Sequence, residues 1–273
     1  MMPFDRMSFA ALFLLVLTAC GGGSGSTSDP ATPDPATLGT TTISSINSAE
    51  TGISYGLDIW LPPGYSQSTA RYPVIYAMDC EYRFSVLTQV LQQSATKLIL
   101  VNVCAMGDAR RWVDFTMPGA SPYYAFITRA LIPFIDANYR TAPTNRTLSG
   151  HSLSGEFAMY ALYMESPANR YFTAIISEEC SCWYDSSMSF SQQLPQPIAM
   201  EQAMYDADHR LPVSLVMAGD ASGNEPEVAT AYATIANRNY VGLRSIQPTY
   251  NLGHVPKDGP AFKDAVDFIF AAH

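Results

Sequence analysis

Arg146-Thr147-Leu148-Ser149-Gly150-His151-Ser152-Leu153-Ser154-Gly155-Glu156-Phe157 decides how this chain is read. A short apolar strand runs into Gly-His-Ser-Leu-Ser-Gly. A helical pattern follows at once, with Phe157, Tyr160, Ala161 and Met164 at i, i+3, i+4 and i+7. Strand, tight turn carrying a serine, then helix is the setting that makes a G-x-S-x-G pattern a nucleophile elbow, with Ser152 as the nucleophile. Only small residues fit beside the serine in so sharp a turn. Gly150 meets that demand; the second glycine is replaced by Ser154, with Gly155 one place later. The competing reading is a Ser/Gly-rich helix start in which Ser152 or Ser154 caps a backbone N–H. These residues alone balance the two readings, and the rest of the chain decides.

A length of 273 residues suits one large α/β domain or two small ones. With 48% hydrophobic and 14% charged residues, the chain can fill a sizeable core. The formal charge is -9, and Lys and Arg form no runs. Nucleic acid is therefore disfavoured as a partner, because phosphate binding needs a basic footprint. Anionic membrane surfaces are disfavoured for the same reason.

Downstream of Thr40, short strands alternate with helical stretches. Strands are expected at Thr40–Ile46, Ser54–Leu61, Tyr72–Met78, Lys97–Val103, Phe172–Ser177, Pro212–Ala218 and Leu243–Tyr250, besides the strand leading to Ser152. Helices are expected at Phe84–Gln93, Pro122–Asn138, Ile198–Asp208, Glu227–Asn239 and Ala261–Ala271, as well as after Ser152. Gly107–Gly119 and Ser181–Pro197 read as loops. Continuous apolar runs such as Tyr72–Met78 suit strands buried on both faces. The alternation argues an α/β fold: a mostly parallel sheet with helices on both faces and an antiparallel edge from the first two strands.

An elbow serine needs a base to take its proton and an acid to orient that base, in the chain order serine, acid, histidine. Of four histidines, His151 sits inside the turn, His209 precedes the seventh strand and His273 is terminal. His254 remains, between the last strand and the last helix. The acid is sought just past Ala218, in Gly219-Asp220-Ala221-Ser222-Gly223-Asn224-Glu225; Glu225 is the first choice and Asp220 the alternative. The competing reading of either is a carboxylate at a helix N-terminus, stabilised by the dipole and catalytically idle. The oxyanion hole should use the backbone N–H of Leu153 and of Cys80, which follows the strand ending at Met78.

Several stretches resemble the "Putative esterase" family of α/β-hydrolases, which includes S-formylglutathione hydrolases, feruloyl esterases and siderophore trilactone esterases. Leu61-Pro62-Pro63-Gly64-Tyr65 is similar to the family's L-P-P-G-Y, and Val74–Asp79 to its V-x-Y-x-x-D-G. Arg111-x-x-Asp114-x-Thr116 resembles its R-x-x-D-x-T, and Gly223-Asn224-Glu225-Pro226 an acid-bearing segment. The likeness runs from about residue 45 to the C-terminus and is greatest to the siderophore-esterase-like subgroup. It implies an α/β-hydrolase fold, hydrolysis of a small carboxylic ester through an acyl-enzyme on Ser152, and no cofactor. It also implies Arg111 and Trp183 as substrate-binding residues, Arg111 meeting ester carbonyls. Departures occur at Cys80 (a glycine in the family), at Ser154 and at Ser177-Glu178-Glu179-Cys180-Ser181-Cys182-Trp183, so the family's substrates do not carry over. An acyltransferase on the same fold and a non-catalytic binding protein are the alternatives.

The N-terminus reads as an address. Arg6 precedes the apolar run Phe9–Leu17, which is too short for a span of about 20 residues and suits a signal-peptide core. Leu17-Thr18-Ala19-Cys20 resembles a bacterial lipobox, which implies removal of residues 1–19 and lipidation of Cys20. A Gly/Ser/Thr/Pro tether over residues 20–39 would link the anchor to a domain over 40–273. The resemblance places the protein in the bacterial cell envelope, facing the periplasm, at the outer membrane. Cys80, Cys104, Cys180 and Cys182 then remain, an even number in an oxidising compartment. Each follows a predicted strand, so disulfides framing the site are expected, with Cys80–Cys104 favoured if their strands are neighbours. A metal site is disfavoured, because no histidine sits at ligand spacing.

Overall fold

Tyr72-Pro-Val-Ile-Tyr-Ala-Met78 sends its side chains alternately to two apolar layers. Val74, Tyr76 and Met78 join one buried cluster, and Ile75 and Ala77 the other. That is the period-2 geometry of a strand covered on both faces. The computed structural model describes residues 38–182 and 195–271, so Cys20 and Trp183 lie outside the described residues.

The strands are β1 (Thr40–Asn47), β2 (Ser54–Leu61), β3 (Tyr72–Met78), β4 (Ile99–Val103), β5 (Thr141–His151), β6 (Ala174–Glu178), β7 (Ser214–Asp220), β8 (Arg244–Ile246) and β9 (Thr249–Tyr250). Their order is β1-β2-β4-β3-β5-β6-β7-β8, with β9 pairing β7. The β1–β2 and β2–β4 pairs are antiparallel and the others parallel, which gives the expected antiparallel edge. The helices are α1 (Cys80–Gln93), α2 (Asp108–Asp114), α3 (Ala120–Phe126), α4 (Ile132–Asn138), α5 (Leu153–Met164), α6 (Pro195–Ala207), α7 (Glu225–Ala236) and α8 (Asp258–Phe270). Leu87 and Leu91 of α1 and Phe262 and Val266 of α8 pack on one face of the sheet. Phe157 of α5 and Val228 and Ile235 of α7 pack on the other.

Three differences from the sequence reading have local causes. The stretch expected as a polar loop at Gly107–Gly119 contains α2, whose Asp114 is buried and accepts hydrogen bonds from Tyr55 Oη and Arg110 Nε at 2.8 and 2.7 Å. The helix expected from Pro122 starts at Ala120 and passes from α3 to α4 through a π turn at Ile127–Leu131. The last strand is split in two around Gln247-Pro248, since Pro248 has no N–H to give the ladder. Pro248 instead accepts a bond from Gly219 N at 3.1 Å.

Sheet order then brings the chemistry together. β3, β5 and β6 are parallel neighbours, in register Ala77 with Ser149 and His151 with Glu178. The residues after them therefore share one edge, the carboxyl edge where open α/β sheets bind ligands. No helix among the described residues is long and apolar enough to cross a membrane.

Candidate active site

Asp79, Ser152 and Glu179 each follow one of these three strands, and each has a positive φ, of 65°, 60° and 46°. Non-glycine residues adopt such angles at a cost of about 1–3 kcal/mol, and they cluster where function demands it. Ser152 (ψ -119°) stands at the N-terminus of α5 on the bend between β5 and the helix. Its N–H donates to Glu178 O at 2.9 Å, and its carbonyl accepts from Ser181 N at 3.1 Å. A Cβ at Gly150 would lie 1.9 Å from Ser154 O, so glycine is obligatory there. A Cβ at Gly155 would lie 2.9 Å from Glu178 O, where α5 packs on β6.

Ser154 does more than fit. Its buried Oγ accepts from His151 N at 2.8 Å and donates to Asp79 Oδ2 at 2.7 Å. The residue that departs from the elbow pattern thus ties the β5 turn to the β3 turn.

His254 Nδ1 lies 2.8 Å from Glu179 Oε2. This corrects the expected acid. Glu225, at the start of α7, makes no hydrogen bond to His254, and Asp220 serves the histidine loop through its backbone. Asp220 Oδ2 accepts from Leu252 N and Gly253 N at 2.7 and 3.0 Å, and Oδ1 accepts from Ser222. The Ser222 hydroxyl and these N–H groups hold the Asp220 carboxyl well below the usual carboxylate range. Glu179 wins because the left-handed turn after β6 swings its buried carboxylate across the end of β7. There Oε1 accepts from Asp220 N at 2.5 Å and Oε2 from Asn224 N at 3.0 Å. Burial alone would raise the Glu179 pKa, but bonds from His254 and Asn224 and the nearby Lys257 ammonium bring it below the ordinary value. Glu179 lies between Ser152 and His254 in the chain. A signal was present in the sequence: two adjacent acids directly after an apolar strand, in the stretch that departs from the family.

His151 anchors the same loop, with Nε2 2.7 Å from the carbonyl of His254. Loss of hydration pushes its pKa down from 6.5 to about 3, so the folded ring is neutral where an unfolded one would be protonated. Stability should therefore be fully present above about pH 6.5 and fall as the pH drops toward 3, by about 1.4 kcal/mol per unit at most. Urea unfolding across that window checks it: His151→Asn should flatten the dependence, and an unchanged slope would dismiss the assignment.

Beneath the site lies a buried charge cluster. Arg83 bonds Asp258 through Nε and Nη2 at 2.8–3.2 Å and lies 3.2 Å from Glu178 Oε1. Burial would raise the Asp258 pKa, but the Arg83 charge overrides it and holds the group at about 2. Burial drives Glu178 well above the carboxylate range. Lys257 is fully buried, with Nζ 3.8 Å from Glu179 Oε1.

Cys80 begins α1 and is disulfide-bonded to Cys104, as expected, because β3 and β4 are neighbours. Cys180 and Cys182 form a second disulfide. Cys80 and Leu153 are each the first residue of a helix, where N–H groups have no acceptor inside the helix. Ser152 and His254 face one cavity of about 300 Å³, rimmed by Tyr82, Arg111 and Val255. Arg111 is ion-paired with Asp79 at 2.8 Å. A second cavity of about 410 Å³ between α5 and α6, lined by Met164, Met200 and Met204, contains neither.

This sheet order, with a serine at the bend after β5, defines a protein of the α/β-hydrolase fold. The sequence matches the "Putative esterase" family over residues 48–244, and the chain belongs to that family. It is 28% identical over 148 residues to the uncharacterized protein YbbA of Bacillus subtilis, covering 47% of this chain and 58% of that one. It is 26% identical over 143 residues to the ferri-bacillibactin esterase BesA of the same organism, covering 41% and 50%. The chain thus spans about half the length of the curated relatives it matches. A crystal structure of the BES protein from Bacillus cereus superposes with a TM-score of 0.70 at 20% identity, covering 85% of this chain and 95% of that one; this likeness shows the fold.

Proposed function

We propose that the chain is a serine carboxylesterase acting through an acyl-enzyme on Ser152. The observation that carries the reading is His254, which shares a cavity with Ser152 while its Nδ1 is held 2.8 Å from the buried Glu179 carboxylate. With Nδ1 held by Glu179, Nε2 is the nitrogen left to take the serine proton, and the carboxylate steadies the imidazolium that forms. Ser152 Oγ attacks the ester carbonyl carbon, and the oxyanion is received by the N–H groups of Leu153 and Cys80, each worth roughly 3–4 kcal/mol. Collapse breaks the ester C–O bond, and the alcohol leaves with the proton from His254. Water, deprotonated by the same imidazole, then releases the acid and restores the serine. Membership of an esterase family and the likeness to BesA, a ferri-bacillibactin esterase, support a small ester, siderophore-type esters among the candidates. A fluorophosphonate probe tests the mechanism: one adduct on Ser152 is expected, and its absence from the wild type would leave a binding protein.

The address is proposed on the sequence alone: a lipid on Cys20 carrying the domain in the envelope on its polar tether. Cells fed a clickable palmitate analogue should label the wild type and not Cys20→Ser. Equal labelling of both removes the anchor.

A further inference from the structure

Arg111 sits at the rim of the cavity above Ser152, but its charge is already matched. Nε and Nη2 bond the Asp79 carboxylate at 2.8 and 3.1 Å, and Nη1 lies 3.7 Å from Asp108 Oδ1. Asp79 is buried and also receives Ser154 Oγ; the Asp108 side chain is 77% exposed. Among the described residues, the other cation lining the cavity is the buried Arg83, held by Asp258. Among the described residues lining the cavity, Arg83 and Arg111 thus face Asp79, Asp108 and Asp258. The site carries an excess of one negative charge on a chain of net charge -9. The undescribed stretch 183–194 cannot reverse this, since its sequence holds Asp185 and no Lys or Arg. The rim is otherwise aromatic and apolar, with Tyr82 and Val255 60% and 70% exposed.

We infer that this site selects an uncharged ester and discriminates against esters bearing negative charge on the portion that enters the cavity. An anionic group could claim Arg111 only by drawing it from Asp79, which would leave a buried carboxylate unpaired beside the elbow. A neutral carbonyl can accept from Nη1 with the Asp79 pair intact. The inference rests on the esterase reading and gives it a substrate class.

The test is a matched pair: the 4-nitrophenyl monoester of glutaric acid and the same compound with its free carboxylate capped as a methyl ester. At low salt kcat/KM should be about tenfold or more higher for the capped ester, the gap narrowing at high salt. Asp108→Asn should narrow it by roughly threefold, and the distant Asp206→Asn should leave it unchanged. Equal or faster turnover of the anionic ester overturns the inference, as does equal narrowing by the two variants. Should both esters turn over poorly, inactivation rates with a neutral and a carboxylate-bearing fluorophosphonate give the same comparison. Failure of every probe to label Ser152 instead removes the esterase reading, a distinguishable outcome.

Discussion

Replacing Ser152 with alanine should lower kcat/KM for a good ester by about 10⁴-fold or more while the fold survives. The loss is large because the three groups act as a unit: without the hydroxyl, the imidazole has no proton to take and no acyl-enzyme forms. Residual rate would come from the N–H groups of Leu153 and Cys80 acting on a bound ester attacked by water. Alanine also removes no hydrogen bond that shapes the elbow, since the Ser152 contacts with Glu178 and Ser181 are made by its backbone. Thermal unfolding should therefore move little. Initial rates with a 4-nitrophenyl ester settle the matter, and a variant within tenfold of wild type would sink the mechanism.

Glu179→Gln should lower kcat by about 10³–10⁴-fold with KM little changed. An amide in place of the carboxylate can present its NH₂ to His254 Nδ1, favouring the tautomer whose Nε2–H cannot act as a base toward Ser152. It also removes the charge that steadies the imidazolium. Glu225→Gln is the decisive partner: with no bond to the histidine, it should stay within about threefold of wild type. Asp220→Asn should behave differently again. It loosens the Leu252–Gly253 turn that presents His254, so it should lower stability along with activity. A collapse of activity in Glu225→Gln with Glu179→Gln unharmed would reverse the assignment.

Ser154 and Cys80 show how far local reading carries. Both look like defects when the sequence is compared with the family pattern. In the fold, Ser154 Oγ bridges His151 N and Asp79, and Cys80 closes a bridge to Cys104 beside its proposed oxyanion role. A substitution can be recognised as small or sulfur-bearing from sequence; what it reaches for cannot.

Ser152 at a bend, the buried strands, the helices on both faces and the place of His254 between the last strand and the last helix were all legible in the residues themselves. Those features rest on side-chain alternation, helical period and the cramped geometry of a single turn, all of which act over a few neighbouring positions. The contact of Glu179 with His254 and the matched charge of Arg111 were decided only by the tertiary structure. Glu179 and His254 are 75 residues apart, and Arg111 and Asp79 are 32 apart. Their meeting depends on which strands lie side by side and on a left-handed turn at residue 179 that no local propensity announces. A carboxylate becomes the partner of a histidine through where its strand sits in the sheet, and that order emerges only when the whole core packs.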